Sequence, residues 1–126
     1  MQDQPSAIEL IEAVVDFMRN HALPQLQGHT AFHALVAANA LDIVKRELQI
    51  APQADNEEHE RLKKILGRDG SLRELNQILC DRITAGEITL ETPGLPDHLW
   101  ATTLTKLAID QPKYSAYRRR TKGAAT

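Results

Sequence analysis

The sequence predicts an all-α protein: a single-domain bundle of about five helices with a long central helix. Three observations carry this expectation. Aromatic residues make up only 4% of the 126 residues. The core must therefore come from Leu, Ile, Val and Ala, which suit packed helices better than a β-sandwich. Apolar residues recur at helical spacing along most of the chain. Start and stop signals bracket those stretches. The length suffices for one domain with a real core, and 42% hydrophobic with 25% charged residues is ordinary for a folded soluble protein.

The first helix opens on Ser6 and Glu9, a capping-box pair just after Pro5. Ile8, Ile11, Val14, Val15 and Met18 line one side, and Glu9, Glu12, Asp16 and Asn20 the other. Leu23-Pro24 interrupts the pattern and Gly28 marks a turn. The central helix is predicted from Thr30 to Ala51, ending before Pro52. On it Phe32, Leu35, Val36, Asn39 and Ile43 share one side. Leu41, Val44 and Leu48 widen that arc, so several neighbours are expected to cover it. Ala31, Ala34, Ala37, Ala38 and Ala40 leave room for a closely packed helix.

After a polar segment, a short helix is predicted over Asn56–Leu66, stopped by Gly67. Its apolar content is thin: Leu62, Ile65 and Leu66. A second capping box, Ser71 with Glu74, opens a helix to about Ala85, striped by Leu72, Leu75, Ile78, Leu79 and Ile83. Gly86 is its expected C′ residue. Ile88 and Leu90 alternate with polar neighbours over too few residues to make a strand. Pro93 to Pro96 forms a loop and helix entry, and the last helix is predicted from Asp97 to Gln111. Residues 1–117 are expected to form the domain, with 118–126 a basic, disordered tail.

The net charge of −2 is unevenly placed. Lys113, Arg118, Arg119, Arg120 and Lys122 stand together without an acid, which leaves about −7 on the rest. The tail reads first as a solvated end, then as a protein contact, and last as a nucleic-acid contact. An acidic body does not support a nucleic-acid partner. The one cysteine, Cys80, allows no internal disulfide and fits a reducing cytosol. No signal-peptide pattern and no apolar run near the roughly 20 residues of a membrane span is present. A cytoplasmic protein without a membrane partner is the expectation.

No catalytic, cofactor-binding or metal-ligating residue is expected. His29 and His33 stand at i, i+4, but a metal needs more ligands and no Glu-x-x-His occurs. Cys80 lies off its helix's apolar stripe with no marked general base. Gly67-Arg68-Asp69-Gly70 is a turn, not a phosphate cradle. Asn39 is the more informative residue. An amide on an apolar face either bonds a neighbouring helix and fixes packing register, or faces a partner or ligand. Arg46 and Glu47 follow on the same arc, where charge either pairs with another element or rims a binding patch. Lys106 and Asp110, at i, i+4, read either as a surface ion pair or as part of a contact surface with Tyr114.

Three stretches together carry a family resemblance. They are Phe32-His33-Ala34-x-Val36-Ala37-Ala38-Asn39-Ala40-Leu41-x-Ile43-Val44-x-Arg46-Glu47-Leu48, then Leu75-Asn76-x-x-Leu79-Cys80-x-x-Ile83-x-x-Gly86, then Leu104-x-Lys106-Leu107-Ala108-Ile109-Asp110-Gln111-Pro112-Lys113-Tyr114. The chain resembles the small bacterial proteins encoded beside aminoglycoside-phosphotransferase-like kinases and acyl-CoA dehydrogenases. One of these is the small partner of the 4-hydroxyacyl-CoA kinase in levulinate catabolism. The resemblance implies an accessory subunit that binds the kinase, with the ATP site and the catalysis in that partner. It also implies an acyl-CoA dehydrogenase-like enzyme as a further associate. Asn39, Arg46, Glu47, Lys106, Asp110 and Tyr114 are the expected partner-binding residues. The rival reading is a free-standing helical module binding a small acyl ligand, which a deep apolar pocket beside Asn39 would favour.

Overall fold

Both capping boxes form as the sequence requires. In the computed structural model, which describes residues 3–124, the Glu9 amide donates to Ser6 Oγ at 3.3 Å and the Ser6 amide to Glu9 Oε2 at 2.7 Å. Ser71 and Glu74 repeat the arrangement. Each box satisfies two amides that the first turn of a helix leaves unpaired. The described residues hold five α-helices and no strand: α1 (Ala7–Asp16), α2 (Gly28–Leu66), α3 (Leu72–Thr84), α4 (Leu95–Asp110) and α5 (Ser115–Ala124). Between α1 and α2 the chain runs through a π-helical segment, Phe17–Ala22, and one 3₁₀ turn, Leu23–Gln25.

The count matches the expectation, but two boundaries do not. The predicted break at Pro52 is absent, and α2 is one helix of 39 residues with Pro52 inside it. Proline lacks the N–H that would reach the Leu48 carbonyl, and its ring crowds the preceding turn. The helix survives because its flanks are strong. Ala, Glu, Lys, Arg and Leu dominate positions 54–66. Gln53 donates to Glu57 at 2.8 Å, Lys63 pairs with Glu60 at 3.1 Å, and Leu62 and Leu66 are anchored in a core. The second correction concerns the tail. Residues expected to be disordered from Arg118 onward belong to α5, which begins where the Arg118 amide donates to the Tyr114 carbonyl at 3.0 Å. Arg120 lies over the Trp100 ring at 4.4 Å and ties this helix to α4. The disorder expected for Ala125 and Thr126 falls outside the described residues.

The fold is one all-α domain in which the chain divides into two compact units, up to Ile50 and from Ala51 onward. In the first, α1 and the π segment run antiparallel to the N-terminal part of α2. Glu12 meets Lys45 and Arg19 meets Asp42, so position rises on one helix as it falls on the other. Ala38 is fully buried, and Ala31 and Ala34 are half-buried on the same side. Of the five alanines expected to face a neighbour, Ala37 and Ala40 are exposed. Among the described residues of this unit the buried apolar side chains are only Val15 and Ala38.

The larger core lies in the second unit. It gathers Leu62 and Leu66 of α2, Leu75 and Leu79 of α3, Ile88 of the connecting loop and Leu95 of α4. The thin stripe of Asn56–Leu66 thus becomes the best-buried part of α2. Gly67, Gly86 and Gly94 take positive φ at the turns that bend the chain around this core. At Gly94, the N-cap of α4, a Cβ would also sit 3.4 Å from Ile65.

Pro52 costs helix stability without contributing to either core. Pro52→Ala restores a backbone donor and should stabilise the protein by about 1–3 kcal/mol. Chemical denaturation followed by circular dichroism measures this; an unchanged midpoint would show that α2 is already relaxed around the ring.

Candidate functional site

The side of α2 that the sequence marks for burial is bare. Phe32 is 62% exposed, Leu35 44% and Val36 47%, while Asn39 and Glu47 are exposed beside them. The expectation that several neighbours would cover this arc is corrected. In its own unit α2 meets only the α1 arm, on the Ala31–Ala34–Ala38 side, about 120° round the helix from Phe32. Phe32 makes an edge contact with His33, ring centroids 5.6 Å apart. Along the arc Phe32, Leu35 and Val36 stand open to solvent, while Ile43 is half-buried.

Between the two helices runs a polar seam. A cleft of about 270 Å³ is lined by Glu12, Val15, Asp16, Arg19, Asn20, Asp42 and Lys45. Arg19 is its centre. One guanidinium nitrogen, Nη2, donates to Asn39 Oδ1 at 2.7 Å and lies 2.7 Å from Asp42 Oδ2. Lys45 faces Glu12 at 3.7 Å, and Asn20 donates to Asp16 at 2.7 Å. The Arg19 hydrogen bond holds the Asp42 carboxyl below the usual carboxylate range, against partial burial, with Lys45 and Arg46 adding to the pull. The pairing is intact above the unfolded carboxylate value of about 3.9 and is lost only as pH falls below it.

Asn39 is therefore a cross-helix link on an exposed edge. Its partner is a side chain of the α1 arm, whereas the packing reading required burial against a helix backbone. Sequence reading missed Arg19, Asp42 and Lys45. The signal was present: Arg19 falls within about 40° of Val15 on the buried side of its helix, where a cation needs a counter-charge.

Arg46 is half-buried and close enough to act on Asp42, while Glu47 is exposed. Lys106, Asp110 and Tyr114 belong to the second unit and are exposed. Lys106 and Asp110 form no ion pair among the described residues. The six candidate residues thus divide into three on α2 in the first unit and, in the second, Lys106 and Asp110 on α4 with Tyr114 in the turn before α5. Cys80 is an exposed free thiol. Among the described residues no three His, Cys, Asp or Glu side chains are grouped to hold a metal, and no helix is long and apolar enough to cross a membrane.

The second unit holds a buried polar cluster. His98 is 2% exposed, and Arg61 Nε donates to its Nδ1 at 3.4 Å, which leaves the neutral ring's proton on Nε2. Asn76 bridges Glu58 at 2.7 Å and the Leu72 carbonyl at 3.1 Å. Burial, and then the Arg61 guanidinium, push the His98 imidazole below its ordinary range, against an upward pull from Glu58.

These features define a small helical protein whose longest helix carries an exposed apolar arc. The chain belongs to the family described as a domain of unknown function, DUF6285, which matches residues 24–114. The match takes in α2, α3 and α4; α1 and α5 fall outside it. No curated protein and no solved structure matches the chain.

The polar contacts lead to two expected outcomes. Asn39→Asp places a carboxylate on an exposed edge next to Arg19, so thermal melts should show a change below about 1 kcal/mol. A loss of several kcal/mol would return Asn39 to the core. His98 titrates lower when folded than unfolded. Its contribution is complete above the unfolded value of about pH 6.5 and is lost as pH falls through that value toward the folded pKa. The melting temperature should drop between about pH 7.5 and about pH 5.5, and His98→Gln should flatten that drop.

Proposed function

We propose that this chain is a non-catalytic accessory subunit that binds and supports an aminoglycoside-phosphotransferase-like kinase phosphorylating a 4-hydroxyacyl-CoA. The setting is cytoplasmic hydroxyacid catabolism of the levulinate type, with an acyl-CoA dehydrogenase-like enzyme acting on the product. ATP binding and phosphoryl transfer belong to the kinase. The observation that carries the reading is the bare arc of α2. An apolar face edged by Asn39, Arg46 and Glu47 has the make-up of a protein-binding surface, an apolar centre within a polar rim. The resemblance in sequence supplies the identity of the partner. The cleft at Arg19 is lined by paired charges, which offers little to an acyl chain and gives the free-standing ligand module no support.

The assay is ATP-dependent phosphorylation of a 4-hydroxyacyl-CoA by the partner kinase, with and without this chain. Phe32→Ser with Val36→Ser removes exposed apolar area and should cost the isolated chain under about 0.5 kcal/mol. The same change should lower the stimulated rate about tenfold or more, equivalent to about 1.4 kcal/mol of association. Lys106→Glu tests whether the α4 end contributes. A kinase that runs at full rate alone and forms no complex on gel filtration would refute the accessory role.

A further inference from the structure

The helix α5 is held on one side and carries its free charge on the other. Ala116, Tyr117 and Thr121 are half-buried, and Arg120, among them on the wheel, lies over the Trp100 ring of α4 at 4.4 Å. Arg118, Arg119 and Lys122 are exposed, between about 100° and 160° round the helix from Arg120 and within about 100° of one another. They span one turn, about 6 Å along the axis. No ion pair among the described residues reaches them, and residues 113–122 contain no acid. This arrangement strains the free chain. Lys122 stands four residues after Arg118 and three after Arg119, where like charges repel. No acid in the first turn complements the helix dipole. A helix of 10 residues is marginal in water by itself, so α5 is helical because α4 holds it. We propose that the outer face of α5, formed by Arg118, Arg119 and Lys122, docks a helical segment of a partner protein that presents carboxylates one turn apart.

Charge and size together select that partner. The three cations lie on the docking face itself and have no carboxylate of their own, so an anion placed there relieves the repulsion within α5. Two of them are arginines, whose planar fork matches a carboxylate with two parallel hydrogen bonds. Acids at i, i+3 and i+4 of a facing helix recur over the same 6 Å or so as the cations. A nucleic acid fits less well. Its phosphates run far beyond one helical turn, and the rest of this chain, at about −7, opposes them. Pairing of α5 with its own symmetry mate would set cations against cations. The proposal goes beyond the accessory-subunit reading, which rests on the arc of α2.

The test uses the full chain and two designed helical peptides of one composition. In the first, glutamates cluster at i, i+3 and i+4 on one face; in the second, the same glutamates are dispersed round the helix. A single-stranded oligonucleotide of equal charge is the third probe. Titration calorimetry should show the clustered peptide binding at least about tenfold tighter than either of the others, and more weakly as salt rises. Arg118→Ala with Arg119→Ala and Lys122→Ala should lower that affinity at least about tenfold. Because Arg120 is kept, the emission of Trp100, the only tryptophan, should not change. Arg118→Glu with Lys122→Glu should abolish binding. Arg120→Ala should shift the Trp100 emission as α5 comes away from α4, and should weaken binding although the outer cations remain. Circular dichroism confirms that each variant is folded. Equal binding of the two peptides, no binding of the clustered one, or an affinity untouched by the alanine variants would overturn the proposal. So would tighter binding of the oligonucleotide, or light scattering that shows a dimer dissolved by the triple alanine variant. None of these outcomes involves the kinase, whose failure to form a complex would refute the accessory role alone.

Discussion

Everything in this fold depends on one helix serving two units. The N-terminal part of α2 forms one wall of the hairpin with α1, and its C-terminal part brings Leu62 and Leu66 into the core with α3 and α4. The two parts face different demands. In the first unit the helix is slim on its inward side, where Ala31, Ala34 and Ala38 stand. In the second unit it must fill space, and leucines do so. Slimness has a consequence for energy. Alanine buries little apolar area, and hydrophobic stabilisation scales with area removed from water. The hairpin adds to its half-buried apolar residues a polar seam around Arg19, whose pairs are partly exposed and individually modest.

Local signals are legible in the sequence to the residue. The capping boxes at Ser6 and Ser71, the stops at Gly67 and Gly86, and the Leu75–Leu79 stripe all depend on neighbours within a turn or two. The departures from expectation share a different cause. Pro52 reads as a helix end because its penalty is local, whereas the stabilisation that outweighs it comes from a core more than a turn away. The tail reads as disordered because its charge is plain in the sequence, while the Trp100 contact that steadies α5 is not.

The arc from Phe32 to Ile43 is the instructive case. Periodicity reports that a face needs cover; it does not say what supplies the cover. Reading that need as intramolecular places the core on the wrong half of α2. The same need, unmet within the unit, is what makes the arc a candidate surface. Of the site itself, Asn39, Arg46 and Glu47 are legible on α2 from spacing alone. Arg19 shows in the spacing only as a cation in need of a counter-charge, and Asp42 is hidden because pairing across twenty-three residues of chain leaves no periodic trace.

The π-helical segment has a further consequence. In Phe17–Ala22 the backbone closes wider rings, and the Leu23 amide reaches back five residues to the Met18 carbonyl. Such a turn takes up about one residue more than an α turn. The segment is thus a slack link in the covalent ruler of the chain. Losing a single residue there would tighten it to an ordinary α-helix and leave α1 and the downstream chain nearly in register. A length change that would scramble α2 or α3 finds in this short stretch a place where it can be absorbed, so gene-level insertions and deletions in this arm have a structural outlet that the other described helices lack.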